Sequence, residues 1–208
     1  MILSDNKSQA QGNGPYEIAN VPGMGDLKVI VVSESTSQFF NNPNGSKSPW
    51  WMVSMKADNK EVLSSTVTAA PYKDYTELFG FYIESYVVFS STIANKLFVS
   101  SIIHEDCIIV IPNAGYVADL EQKMHSGVLF GMITIVCLGW IKGTLQVYHR
   151  ITFTNSFLVS IIPDLDRAFV RFRVVKKNHT FIPFSQAGVK AGQSMCLIDL
   201  TTDTTSAG

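Results

Sequence analysis

The sequence predicts an all-β chain folded as an antiparallel β-sandwich. Three observations predict it. Short runs rich in Val, Ile, Phe, Tyr and Thr recur along most of the chain. Turn residues separate them, in "NNPNGSKSP", "PNAG", "PDLD" and "AGVKAG". Several runs alternate apolar and polar residues, the period-2 signature of a strand with one dry and one wet face.

In chain order, residues 1–25 are polar, rich in Asn, Gln, Ser and Gly, and are expected to form a flexible arm. The strand-like runs then follow: "LKVIVVS" (27–33), "WWMVSMK" (50–56), "EVLSSTVTA" (61–69), "FGFYIESYVVFSS" (79–91), "KLFVSSII" (96–103) and "CIIVI" (107–111). "YVADLEQKMHSG" (116–127) carries Val117, Leu120 and Met124 at helical spacing and predicts one or two helical turns in a loop. Next come "VLFGMITIVCL" (128–138), "GTLQVYHRITFT" (143–154), "FLVSII" (157–162), "AFVRFRVV" (168–175), "TFIPF" (180–184) and "SMCLIDL" (194–200). In the run at 143–154, Leu145, Val147, Ile151 and Phe153 point one way, and His149 falls among them. No repeat of fixed period is visible, which argues against solenoids and propellers.

Composition narrows the function classes. The chain has 208 residues, 46 % hydrophobic and only 16 % charged, against about a quarter charged in a typical domain. Either partners cover part of the surface, or Ser and Thr cover it. The net charge of −1 argues against a general nucleic-acid binder. Charge is nonetheless uneven. Residues 142–190 hold eight basic and two acidic residues, and all four arginines lie between Arg150 and Arg173. Cys107, Cys137 and Cys196 are far apart, each in an apolar run, and read as free thiols of a reducing compartment. No signal peptide is visible, so the sequons at Asn6, Asn44 and Asn178 are expected to stay unmodified. No apolar run reaches the ~18 residues of a membrane helix.

Motifs of catalysis are missing: no G-x-S-x-G elbow, H-E-x-x-H or P-loop is present. The best local cluster is His104, Glu105 and Asp106, with Cys107 following, read as a polar turn between two strands. A metal site there needs a third ligand that the sequence does not name. The histidines, 104, 125, 149 and 179, stand alone in the sequence. Asp164 and Asp166 supply two carboxylates in a Pro-Asp turn, a pattern common without metal. The reading is therefore a non-enzyme with no catalytic residues, no cofactor and no metal.

"FGFYIESYVVFSST", "HEDCIIVIPNAG", "HSGVLFGMITIVC" and "KGTLQVYHRITFTN", in that order, resemble the strand succession of viral single jelly-roll capsid proteins over about residues 75–155. The resemblance implies a jelly-roll domain at 26–155, with 156–208 as a C-terminal β extension of the same domain. It implies a structural protein of an icosahedral shell, either the main lattice or a pentameric vertex (penton). Its partners would be copies of itself, as a pentamer or larger, and other capsid proteins. Its place would be the virion, after synthesis in the host cytoplasm. The arm departs from the pattern: residues 1–26 carry Lys7 against Asp5, Glu17 and Asp26, too little positive charge to neutralise a genome. The alternative is a trimeric recognition module of the C1q or tumour-necrosis-factor type, without catalytic activity.

In "AFVRFRVV", Val170, Phe172 and Val174 share one face and are expected to be buried. Phe169, Arg171 and Arg173 share the other, a mixture that suits a subunit interface or a solvated strand. Trp50 and Trp51 are read as further interface or core anchors. His149 is read as a core or sheet-edge histidine, or as a pH switch between subunits.

Overall fold

The computed structural model describes residues 16–21, 25–31, 50–64, 72–93, 96–185, 187–200 and 204–207. Of residues 16–31, 50, 86–101, 140 and 204–207 it describes the backbone alone. The strands are β1 (Tyr16–Val21), β2 (Gly25–Val31), β3 (Trp50–Ala57), β4 (Lys60–Glu61), β5 (Thr76–Glu77), β6 (Gly80–Tyr82), β7 (Ser85–Ile93), β8 (Lys96–His104) and β9 (Cys107–Pro112). Helix α1 (Tyr116–His125) precedes β10 (Leu129–Ile141), β11 (Thr144–Pro163), β12 (Arg167–Arg173), β13 (Lys176–Phe181), β14 (Ser194–Asp199) and β15 (Thr204–Ala207). The all-β, antiparallel class is as expected. Within the stretch expected as an arm, Tyr16–Val21 pairs with β2; residues 1–15 lie outside the described residues.

Hydrogen bonding joins thirteen of the described strands into one sheet, along β1-β2-β6-β9-β12-β11-β10-β3-β4, with β5, β13, β14 and β15 branching from it. β7 and β8 form a separate hairpin. Tight turns set two registers. Asp58–Asn59 closes β3 on β4, and Lys142–Gly143 closes β10 on β11, all four residues with positive φ. Paired positive φ values match the primed turns whose twist agrees with the strands they join.

The 20-residue β11 is the spine. β10 pairs along most of it, while β12 and β13 lie in line on its other edge, β12 over Phe157–Pro163 and β13 over His149–Thr154. β9 continues the sheet from β12, and β14 continues it from β13. The sheet therefore forks.

The alternation expected in 143–154 is interrupted. The β10 register shifts between Cys137 and Leu138, so that Leu138 faces Val147 and Cys137 faces His149, with Tyr148 inserted as a bulge. Val147 consequently packs with Met52, Val136 and Leu138 on one face of the sheet. Ile151 and Phe153 pack on the other, with Ile133, Ile135, Val170 and Phe172. That second face is the main core. Phe130, Phe153 and Phe172 are fully buried in it, and each such side chain contributes roughly 1.5–3 kcal/mol by leaving water. α1 adds Tyr116, Val117 and Leu120, and is longer than the turn or two expected. Asp119 in its first turn and Lys123 and His125 in its last suit the helix dipole.

Candidate functional site: a mixed row on the outer sheet face

Alternation in β12 places Val170 and Phe172 in the core and turns Arg171 and Arg173 to the opposite face. Cross-strand register then fixes the neighbours of Arg173. It stands opposite Phe157 of β11, which stands opposite Leu129 of β10. Leu129, Phe157 and Arg173 thus form a row across three strands. The two apolar members are 42 % and 44 % exposed, and Met132 and Val159 nearby are similarly open. Arg173 and its neighbour Arg171 converge on Asp106, the residue before β9. Arg173 Nε donates to Asp106 Oδ1 at 2.8 Å, and Arg171 Nε lies 3.0 Å from Oδ2 without the alignment of a hydrogen bond. The Asp106 side chain is 5 % exposed, whereas that of Arg173 is 73 % exposed. One buried carboxylate thereby fixes a cation beside an apolar strip.

The other residues singled out in the sequence go elsewhere. Phe169 is buried within the subunit. Trp51 is half-buried against Phe81, ring centroids 4.9 Å apart, and meets His149 edge-on at 5.4 Å. Trp50 pairs with Leu138 through its backbone, and its side chain lies outside the description. Asp166 holds Arg167 at 3.0 Å, and Asp164 accepts the N–H of Leu165, so the two carboxylates serve their own turn. His104 and Asp106, adjacent in sequence, part company. Asp106 turns to the arginines, while His104 Nδ1 meets Ser85 Oγ at 2.8 Å, and Lys177 Nζ also reaches Ser85 Oγ at 3.2 Å.

Two groupings escaped the sequence. Leu129 and Phe157 are 28 positions apart and meet only through the β10–β11 hairpin. His149 and His179, read as solitary, are brought together by β11 and β13, with their Nε2 atoms in contact, ring centroids 4.5 Å apart and ring planes 24° from parallel. Burial pushes His149 down to about 4, and His179 is lowered by desolvation and by the charge of Lys177. Cys107 and Cys137 are buried, and burial pushes both thiols up to about 12, so both stay protonated and unreactive at neutral pH. Among the described residues no group of three or more His, Cys, Asp and Glu side chains stands ready to hold a metal ion, and no helix is long and apolar enough to cross a membrane.

No protein-family model matches the chain, and no curated protein matches it. Solved structures do. The chain is similar to a type six secretion system protein at 14 % identity, over 76 % of this chain and 100 % of that one, with a TM-score of 0.65. It is similar to Hcp1 from Salmonella typhimurium at 13 % identity, over 76 % and 99 %, with a TM-score of 0.57. It is similar to the secreted protein Hcp3 from Pseudomonas aeruginosa at 12 % identity, over 76 % and 97 %, with a TM-score of 0.51.

These likenesses are of fold, and they correct the expected resemblance to viral capsid proteins. The shell-lattice or penton role, the virion location and the C1q or tumour-necrosis-factor alternative fall with it. The physical reason is that alternation, a strand ending in Pro and a "GTLQV" strand start specify half-buried strands and their faces. They do not specify which strand lies beside which, and strand order is where folds of one class differ. What the structure assigns to this chain is the fold of the Hcp secretion proteins.

Proposed function

We propose that this chain is a self-associating structural subunit of a type VI-type secretion apparatus, with no catalytic step of its own. The observation that carries the proposal is the coverage of the likeness. The shared fold spans 100 % of the type six secretion system protein, so the whole of that unit has a counterpart here. The exposed row of Leu129, Phe157 and Arg173 supports self-association, since apolar residues with an oriented Arg favour an interface over open solvent. The low charged fraction of 16 % supports it too. A contact between unlike faces of identical subunits closes into a ring when the rotation allows, and rings stack into tubes.

In this reading residues 26–155 and 156–208 belong to one domain, because β12 and β13 of the second stretch pair with β9 and β11 of the first. The forked sheet is the assembling unit in this reading. Arg171 and Arg173 remain interface residues, already anchored by Asp106, while Phe169 and Trp51 pack inside the subunit. Light scattering coupled to size-exclusion chromatography, with negative-stain imaging, tests the proposal. The expected result is ring-sized or longer assemblies of the full chain, and a folded monomer for Phe157→Asp. A monomeric wild type at micromolar concentration overturns it, as does a Phe157→Asp variant that assembles normally.

A further inference from the structure

The main core ends at His149. Beyond it, the same side of the sheet carries a pair of imidazoles whose role the self-association reading leaves open. On β11 and β13 the register sets Ile151 opposite His179 and His149 opposite Phe181, so the two histidines are diagonal neighbours on one face. Trp51 meets the His149 ring edge-on at 5.4 Å, and Phe181 meets it at 6.3 Å. These contacts hold the ring with its Nε2 toward the Nε2 of His179. In a neutral pair one Nε2 carries the proton and the other presents a lone pair, so both ring nitrogens point at a single shared position.

We propose that His149 and His179 form a two-histidine clip for a late first-row divalent cation such as Zn2+ or Ni2+, with water completing the coordination. Imidazole nitrogen is the ligand these ions favour, and Mg2+ or Ca2+, which prefer oxygen, are not held. A zinc ion bonds each nitrogen at ~2.0–2.1 Å, so the rings part slightly to admit it. The charge and proton balance is simple. Both Nε2 lone pairs bond the metal, and the proton between the rings moves to Nδ1 of the ring that carried it. No proton is released when both rings are neutral. Other groups bear on the site from the neighbouring strands. Lys177, two residues from His179 on β13, opposes a cation, although it also donates to Ser85. Cys196 on β14 stands directly opposite His179 as a free thiol. Cys137 on β10 stands opposite His149, buried.

The test is calorimetric titration of the full, untagged chain with Ni2+ or Zn2+ alone. One ion per chain is expected, with at least tenfold weaker binding in His149→Gln and in His179→Gln. His104→Gln, His125→Gln and Cys196→Ser should bind as the wild type does, and Lys177→Gln should bind more tightly. Because the two clip variants change a half-buried packing site, the intact chain is also followed by imidazole NMR. Zn2+ should shift the ring signals of His149 and His179 and leave those of His104 and His125 in place. Absence of binding, binding undiminished in the clip variants, or shifts confined to the other two histidines overturns the clip. The self-association reading stands or falls separately, on the size of the metal-free assemblies.

Discussion

The two halves of β11 make a controlled comparison within one strand. Over Phe157–Pro163 its outer neighbours are β12 and then β9, and four of the seven residues of β12 and five of the six of β9 are buried. Over His149–Thr154 its neighbours are β13 and then β14, and no residue of either strand is fully buried. Both halves pair antiparallel, with a register shift between Leu158 and Ser160 in the first and none in the second. What differs is the cargo: "AFVRF" and "CIIVI" on one side, "KKNHTF" and "SMCLID" on the other. The comparison teaches that pairing along a strand does not by itself make a core. The dry end carries the stability, and the wet end is left free to hold polar groups such as the histidine pair and the Lys177–Ser85 contact.

The largest expected effect falls at the dry end. Phe172 is fully buried and meets Phe153 edge-to-face with centroids 5.2 Å apart. Phe172→Ala should lower the unfolding free energy in urea by about 3–5 kcal/mol, the range for a truncated core aromatic. Phe181, at the wet end and 51 % exposed, should lose under ~1 kcal/mol on the same truncation. Equal losses at the two positions would break the comparison.

The next effect concerns charge at the two ends. At the dry end Asp106 is buried between two arginines. Asp106→Ala should cost about 1–3 kcal/mol by leaving Arg173 without its acceptor and Arg171 without its counter-charge, tempered because water reaches Arg173. The same variant should weaken assembly, since Arg173 loses its anchor. Retention of full stability in urea and of normal assembly would show that the network is incidental.

The smallest effect is its counterpart at the wet end. Lys176 Nζ lies 2.9 Å from Asp199 Oδ2, with the lysine side chain 45 % exposed. Asp199→Ala should cost ~0–1 kcal/mol, and raising the salt concentration should erase even that. Native-state hydrogen exchange sharpens the same contrast. Amides of β13 and β14 should exchange ahead of those in β9 and β12, because few buried apolar contacts hold them.

Much of the fold was legible. The strands at 27–33, 50–56, 96–103 and 107–111 were visible from composition and turn residues, and the burial of Val170, Phe172 and Val174 followed from alternation alone. The run at 79–91 proved to be two strands, β6 and β7, while the runs at 143–154 and 157–162 proved to be one. Asn155, at φ 56, allows a bend within a continuous strand where a break was expected. The candidate site was half legible. Arg171 and Arg173 stood out as misplaced charges in an apolar strand. Leu129 and Phe157 did not, because one exposed apolar residue in an alternating run looks like any other.

The sequence by itself determined the all-β class, the two-faced character of the strands, the main core residues and the clustering of the arginines. These depend on side-chain pattern and local backbone preference, which act between near neighbours. Only the tertiary structure decided the strand order, and so the likeness to Hcp proteins in place of capsid proteins. It alone decided that a bulge at Tyr148 sends Val147 and Ile151 to opposite faces. It alone decided that Asp106 meets arginines some 65 residues away and that His149 meets His179. Each of these rests on which strands pair and in what register. Pairing is settled by the packing of the whole sheet, and shifting a register by one residue reverses every face that the local pattern had assigned.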